Sequence, residues 1–225
     1  MNYKIIDAST PAVTCELSPG ESMVTQSGAM AWMTSNMDMK TSAGGFGKAF
    51  GRLLSGESVF LNTYTPVAGP GSITFAATFP GTIRAVEITP DKPLIIQKSA
   101  FLAATTGVDV SVVFQQKAGV GFFGGEGFIM QKLSGRGLAF IEIDGEGVDY
   151  DLRPGEQIVV DTGYLTAMDA TCDMDIRTVK GAKNIFFGGE GLFNTVVTGP
   201  GHVILQTMSV VQFTAKIAAM VPSKN

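Results

Sequence analysis

Three glutamates in glycine-rich turns are the first residues of this chain whose type and spacing could do chemistry. Glu57, Glu126 and Glu190 each follow a glycine, and apolar residues stand on both sides of each turn. A lone carboxylate in such a turn usually accepts backbone N–H bonds, which is the structural interpretation. The alternative is functional: a ring of carboxylates near a threefold axis that binds a cation or a basic partner.

Nucleophilic or metal catalysis would need histidine and cysteine in useful combinations, and the sequence offers few. His202 is the single histidine, and it follows a Gly-Pro-Gly turn without a nucleophile-elbow pattern. Cys15 and Cys172 are far apart and lack the paired spacing of zinc ligands. We therefore expect no enzyme, no metal site and no cofactor. We expect both cysteines to be buried in a reducing compartment, while a disulfide between them stays open.

The stretch 42–49 resembles a phosphate-binding loop but departs from the pattern at both ends. That pattern needs Gly where the chain has Ser42, and Ser or Thr where it has Ala49. Nucleotide binding is therefore not expected. The functional interpretation is an apolar, basic flap in which Phe46 and Phe50 contact a membrane or a partner protein. The alternative is a loop that packs on its own part of the chain.

Apolar pairs precede the glycine-glutamate turns. They are Phe122-Phe123, Phe186-Phe187 and, at the corresponding place, Leu53-Leu54. These pairs could form a hydrophobic belt on one rim of an assembly, where repetition would strengthen weak contacts. The more frequent fate of such residues is core packing at the junctions between modules. Trp32, the single tryptophan, stands in a methionine-rich apolar run and is predicted to lie in the core.

Composition narrows the class of protein and its partners. The 225 residues carry a net charge of −4, so no basic excess is available for nucleic-acid phosphates. Only 16% of residues are charged and 28 are glycine, which favours tight turns and surface hidden in an oligomer. No secretory signal pattern and no apolar run of about 18 residues is present. We expect a cytoplasmic protein, with a location at the periphery of a membrane as the alternative.

Three landmarks recur along the chain in the same order: a Pro-initiated turn, a glycine-glutamate turn and a Gly-x-Gly turn. Between the second and third copies all three are displaced by 64 residues. The pairs are Pro90 and Pro154, Glu126 and Glu190, and Gly137 and Gly201. A constant displacement of separate landmarks predicts internal repetition. We predict three β modules, at 1–78, 79–144 and 145–225.

Each predicted module consists of short strands separated by turn residues. Apolar and polar residues alternate at 13–17, 84–88 and 148–152, as in half-buried strands. This pattern predicts an all-β fold of three tandem double-sheet pseudo-repeats. The tail differs, because apolar residues from Val210 to Met220 follow helical spacing after Ser209, a suitable N-cap, and before Pro222. We predict a short C-terminal helix there.

The turn motifs together resemble those of the altered inheritance of mitochondria protein twenty-four family. The carrying motifs are Gly45-Phe46-Gly47, Gly56-Glu57-Ser58-Val59-Phe60-Leu61-Asn62-Thr63, Phe79-Pro80-Gly81, Phe186-Phe187-Gly188-Gly189-Glu190-Gly191-Leu192-Phe193 and Gly199-Pro200-Gly201. The resemblance implies a fold like the tryptophan RNA-binding attenuation protein, whose small β modules assemble side by side into rings. Three modules per chain would then give a nine-module ring as a homotrimer. Mitochondrial relatives are linked to inner-membrane organisation, and the resemblance supplies no catalytic residues.

These observations lead to one preferred function and one alternative. The preferred function is a non-enzymatic, ring-forming scaffold that docks to a membrane or protein partner through its repeated apolar loops. The alternative is a small-molecule-binding module whose ligands lie between adjacent β modules. Fold likeness alone does not decide between them.

Overall fold

The protein is built from antiparallel β-strands. The computed structural model describes residues 1–26, 28–43, 60–116, 127–178 and 193–220. Within these residues the chain forms nineteen strands, two short 3₁₀ turns and one α-helix, α1. The prediction of an all-β protein with one C-terminal helix is therefore confirmed.

The strands follow one another in short steps. The first ten are β1 Asn2–Ile6, β2 Ala12–Leu17, β3 Met23–Gln26, β4 Met30–Met33, β5 Met37–Ala43, β6 Phe60–Pro66, β7 Gly71–Ala76, β8 Gly81–Ile88, β9 Leu94–Gln97 and β10 Phe101–Thr105. The next are β11 Val108–Gln116, β12 Phe128–Gly135, β13 Gly137–Asp144, β14 Gly147–Leu152, β15 Gln157–Asp161, β16 Leu165–Asp169, β17 Asp173–Thr178, β18 Phe193–Thr198 and β19 Gly201–Gln206. The 3₁₀ turns are Lys98–Ala100 and Thr162–Tyr164, and α1 is Val210–Met220.

Four sheets contain these strands. Their orders are β1-β2-β7-β4, β5-β6-β3-β10-β13-β8, β11-β12-β9-β16-β19-β14 and β15-β18-β17. The second sheet joins strands from both sides of residue 78, and the third joins strands from both sides of residue 144. Segments of the chain that are distant in sequence are therefore held together by continuous backbone hydrogen bonding.

The turns that precede β3 and β15 show why the sequence bends where it does. Gly20 and Gly155 adopt φ values of 90° and 77°, which a side chain would disfavour. The glutamate that follows each glycine closes the turn with its carboxylate. Glu21 accepts from the Ser18 amide at 2.8 Å, and Glu156 accepts from the Arg153 amide at 2.9 Å. The predicted Pro-initiated turns are therefore stabilised by backbone conformation and by a side-chain hydrogen bond.

The predicted alternation holds in β2 and fails in β14. In β2, Val13, Cys15 and Leu17 are buried while Glu16 is exposed. In β14, Val148 is 39% exposed and Tyr150 is 42% exposed, so the prediction of a half-buried strand was wrong there. The two side chains stay exposed because the described residues do not cover that face of β14, whereas the inward side chains of β2 belong to a core cluster.

The strand pairs around β7, β13 and β19 follow one pattern. β7 pairs with β2 and β4, β13 pairs with β8 and β10, and β19 pairs with β14 and β16. In each case one register irregularity interrupts the second pairing. The irregularities lie between Met30 and Trp32, Phe101 and Ala103, and Leu165 and Ala167.

The core consists of three apolar clusters that connect the sheets. One contains Phe75 and Phe140, the second contains Ile96 and Ile141, and the third contains Phe128 and Leu165. Each of these six side chains is at most 1% exposed. Full burial of one such side chain stabilises the fold by about 1.5–3 kcal/mol.

Helix α1 begins at the predicted cap. The Ser209 hydroxyl accepts a long hydrogen bond from the Gln212 amide at 3.4 Å. The Gln212 side chain accepts from the Tyr164 hydroxyl and donates to Asp161, each at 3.1 Å. Phe213 packs edge-on against Phe79, with ring centroids 6.3 Å apart. In the part of the chain that the structure describes, no helix has the length and apolar character needed to span a membrane.

Candidate assembly site

The site residues predicted from the turn motifs lie outside the described residues. They are Glu57, Glu126, Glu190, Phe46, Phe50, Phe122, Phe123, Phe186 and Phe187. Their proposed roles stay predictions. The predicted helix stop at Pro222 also lies outside the described residues.

The two cysteines are separate and buried. Cys15 and Cys172 are both free thiols, so the open question of a disulfide is answered. Burial raises the pKa of the Cys15 thiol to about 12. Burial is also the main reason that the pKa of Cys172 is raised. Neither group has the low pKa that a reactive nucleophile requires.

His202 lies in a polar cluster on the surface of the third sheet. Its Nδ1 is 2.7 Å from Asp151 Oδ1, and its Nε2 is 3.0 Å from Asp149 Oδ1. Asp149 also accepts two hydrogen bonds from the Arg84 guanidinium, at 2.6 and 3.0 Å. The hydrogen bond with Asp151 is the largest cause of a raised pKa at His202. The cluster links β8, β14 and β19 and contains no nucleophile.

Metal binding finds no support in the described geometry. Among the described residues, no group of three or more histidine, cysteine or carboxylate side chains is placed to hold a metal ion. The carboxylates described so far close turns or pair with Arg84 and His202. The candidate site is instead formed by the outer edges of two strands.

Two strand pairs join distant parts of the chain. β10 pairs with β3, placing Ala104 opposite Val24 and Thr105 opposite Met23. β16 pairs with β9. There, Met168 lies opposite Ile95 and Asp169 lies opposite Leu94. We call these two strand pairs the internal joins. Their paired residues are buried, since Ala104 is 0% exposed and Met168 is 2% exposed.

β4 and β15 lack such a second neighbour in the described part of the chain. β4 pairs with β7 alone and forms the outer strand of the first sheet. β15 pairs with β18 alone and forms the outer strand of the fourth. Each edge therefore presents unpaired backbone N–H and C=O groups that can pair with another strand.

Both edges are apolar as well as unpaired. Trp32 is 56% exposed, Met33 is 37% exposed and Val159 is 63% exposed. The prediction that Trp32 lies in the core was therefore wrong for the single chain. The apolar run suggested burial, but no described strand of the same chain covers this edge of β4. Apolar side chains beside unpaired backbone form a surface suited to strand addition.

Comparison with known proteins gives the family. The family description "mitochondrial biogenesis AIM24" matches residues 3–208, which is most of the chain. The chain belongs to this family. The resemblance inferred from the turn motifs is thereby confirmed. Membership in the AIM24 family fixes ancestry, and it does not by itself assign a biochemical activity.

Solved structures extend the comparison to the fold. The crystal structure of protein SPYM3_0169 from Streptococcus pyogenes is similar over 98% of this AIM24-family chain and 99% of that chain. The TM-score is 0.79 at 25% sequence identity. No curated protein matches the chain. The similarity spans both chains almost completely, so the fold is shared from end to end.

Sequence reasoning missed the two open edges. Trp32 and Val159 are 127 positions apart, and each stands in an ordinary apolar strand. The signal that was available is the fixed displacement between landmarks. It aligns β10 with β16 and β9 with β15, and the order of the landmarks places β4 and β3 at the corresponding points of the first copy.

Proposed function

We propose that this protein is a non-enzymatic, ring-forming scaffold. Each chain supplies three β modules, and β15 of one copy pairs with β4 of the next. The observation that carries the proposal is the pair of complementary, apolar strand edges on β4 and β15. Three chains would close a ring of nine modules.

The recurrent strand pairing supports the three modules at 1–78, 79–144 and 145–225. β7, β13 and β19 each pair with two strands, and the same register irregularity recurs in each module. The landmark displacement aligns these strands independently of the pairing. A double-sheet module like that of the tryptophan RNA-binding attenuation protein is the arrangement that we propose for each third.

The internal joins predict the register of the missing one. At the join of β9 and β16, Met168 lies opposite Ile95, and Ala167 lies opposite Ile96. The corresponding residues of the open edges are Met33 opposite Val159, and Trp32 opposite Val160. The join of β3 and β10 gives the same register, because Ala104 lies opposite Val24.

Burial at the internal joins supports the proposal, because the corresponding residues of β4 and β15 are exposed in the single chain. Val24 is 2% exposed, whereas the corresponding Val159 is 63% exposed. Ala103 and Ala167 are 0% exposed, whereas the corresponding Trp32 is 56% exposed. Pairing β4 with β15 would remove this apolar surface from water, which favours association.

The two edges are on different strands, so the contact is head-to-tail. Such contacts give closed rings when the rotation between subunits closes, and filaments when it does not. The internal joins repeat one strand register between consecutive modules. We propose that the external join repeats it, and the number of three chains comes from the resemblance to rings of small β modules.

Changing Val159 to aspartate tests the assembly. The new carboxylate would stand opposite Met33 and lose its water without gaining a partner, which costs several kcal/mol. By light scattering after gel filtration, we expect the native protein to have three times the 23.6 kDa mass of one chain. Val159→Asp should reduce this to one chain while circular dichroism stays unchanged.

Val67→Asp is the matched control. Val67 is 68% exposed, similar to Val159, and lies in the turn after β6 rather than on β4 or β15. This variant should keep the native mass. A native protein that is monomeric at micromolar concentration would contradict the proposed ring.

The scaffold role itself rests on the sequence pattern. A ring would repeat the apolar residues around Phe46 and Phe50 in every chain, and such repetition strengthens weak docking to one large surface. A cytoplasmic location at the periphery of a membrane agrees with this role. A protein partner is the alternative acceptor.

A further inference from the structure

A cavity of about 730 Å³ lies where turns from all three parts of the chain meet helix α1. Its walls include the turn residues Gly28, Ser99 and Gly163, which precede β4, β10 and β16 respectively. Val210, Val211 and Thr214 of α1 form another wall. The volume falls within the range of about 300–1,000 Å³ that is usual for small-molecule sites.

Two polar side chains that border this cavity have no hydrogen-bond partner among the described residues. Asp144, at the end of β13, and Gln97, at the end of β9, are each 8% exposed. The backbone of Asp144 is bonded to Gln206 and Met208, but its carboxylate has no hydrogen-bond or ion-pair partner in the described structure. The amide group of Gln97 likewise has none there. Side chains this little exposed are normally satisfied, and the polar atoms of these two are not fully buried, so each can reach a ligand in the cavity.

A second carboxylate faces the same space. Glu142 lies two residues before Asp144 on β13, so both side chains leave the same face of the strand. Glu142 accepts one hydrogen bond, from the Thr78 amide at 3.1 Å. Burial raises the pKa of Glu142 to about 7, and the nearby charge of Asp144 contributes. Burial raises the pKa of Asp144 to about 6.

The other charged group on the cavity wall does not neutralise this pair. Lys98 lines the cavity, yet it is not among the causes that set the pKa of either carboxyl. Helix α1 contributes no charged residue to the lining, and β19 contributes the amide of Gln206. Gln206 is already bonded to the Asp144 amide, Thr166 and Gly163. Neither carboxylate therefore has a cationic partner among the described residues of the cavity wall.

We propose that this cavity binds a small organic amine, with the ammonium group against Asp144 and Gln97 and the apolar part against Phe79 and Phe101. An ammonium group supplies three donors, which matches two carboxylates and one amide oxygen. The aromatic walls and the volume suit an apolar body rather than a bare ion. An anion would meet two carboxylates, and a metal ion would leave most of the cavity unfilled.

Binding should strengthen as pH rises. Both carboxyls are mostly protonated at pH 5 and mostly ionised at pH 8, given pKa values of about 6 and about 7. The affinity scales with the fraction of protein in the binding-competent, ionised state. We therefore expect at least tenfold weaker amine binding at pH 5 than at pH 8.

Three probes with one shared body test the proposal by isothermal titration calorimetry. They are 2-phenylethylamine, 2-phenylethanol and phenylacetate, which are cationic, neutral and anionic at pH 8. We expect the amine to bind with at least tenfold higher affinity than the alcohol, and no binding of phenylacetate. Equal affinity for the amine and the alcohol, or no amine binding at pH 8, would overturn the proposal.

Variants locate the site. Asp144→Asn should weaken amine binding at least tenfold, while Glu87→Gln, on the exposed side of β8, should leave it unchanged. Val211→Trp should also abolish binding by filling the cavity while both carboxyls remain. Unchanged affinity in Asp144→Asn and Val211→Trp would contradict the assignment.

The result is separable from ring assembly. The described lining residues include none from β15, so Val159→Asp should bind the amine as the native protein does. Loss of assembly with retained binding would support this site, and retained assembly without binding would overturn this site alone.

Discussion

His202 stands between two aspartates, and its protonation state decides how many hydrogen bonds it can donate. Neutral imidazole has one N–H donor, whereas imidazolium has two. Only the imidazolium can donate to both Asp149 and Asp151, which lie at 3.0 and 2.7 Å. The fold therefore raises the pKa of His202 above its ordinary value.

This raised pKa predicts a dependence of stability on pH. The contribution of His202 is fully present below the unfolded pKa of about 6.5 and is lost as pH rises through the folded pKa. His202→Gln should therefore lower the free energy of unfolding at pH 5.5, by at most about 1 kcal/mol because the pair is solvent-exposed. The difference from the native protein should shrink toward pH 9.

Urea unfolding at pH 5.5, 7 and 9 measures this effect at one fixed protein concentration. Lys216→Gln, on the exposed side of α1, is the control for loss of one positive charge. A deficit in His202→Gln that grows from pH 5.5 to pH 9 would contradict the interpretation.

At the scale of elements, one strand register accounts for both internal joins. In both, the fourth residue of β10 or β16 lies opposite the second residue of β3 or β9. The local sequence does not predict this register, because β4, β10 and β16 carry side chains of different size at the corresponding position. Trp32 occupies the position held by Ala103 and Ala167.

The proposed register between copies can be fixed chemically. Residues directly opposite in an antiparallel pair have Cα atoms about 4.5–5.5 Å apart, within reach of a disulfide. The double variant Met33→Cys and Val159→Cys should therefore form intermolecular disulfides on mild oxidation. Non-reducing electrophoresis should show species of up to three chains.

A shifted pair controls for accidental contact. Met33→Cys with Gln157→Cys places the cysteines about 7–8 Å apart diagonally, which disfavours the bond. Equal cross-linking of the shifted pair would contradict the register. The native thiols of Cys15 and Cys172 are buried, so they should not compete.

At the scale of the whole molecule, a ring would convert weak contacts into strong docking. Each chain carries Phe46 and Phe50, and simultaneous engagement of several copies can raise the overall affinity by about 10²–10⁴. Co-sedimentation with phosphatidylcholine vesicles tests docking to a membrane. Neutral vesicles are appropriate because the net charge of −4 would oppose anionic lipid.

The expected result depends on both the loop and the assembly. Phe46→Ser with Phe50→Ser should reduce sedimentation at least tenfold, and Val159→Asp should do the same by removing multivalency. Ile217→Ser, at a 47% exposed position of α1, should have little effect. Absence of the native protein from the vesicle pellet would contradict docking to a membrane, and a protein would then be the remaining candidate partner.

The sequence by itself determined the features that depend on neighbouring residues. Turns at Gly20 and Gly155, the cap at Ser209 and the alternation in β2 are set by side chains within a few positions. The family motifs are equally local. These signals therefore predicted an all-β protein with a terminal helix, because turn chemistry and periodicity need no knowledge of distant contacts.

Only the tertiary structure decided which strand edges stay open and which polar groups meet. Trp32 looked like a core residue because an apolar run does not reveal whether a neighbour exists. Asp144 and Gln97 are unremarkable in sequence and become unusual only where β9 and β13 end at one cavity. Both outcomes depend on contacts between residues far apart in the chain, and such contacts leave no local pattern.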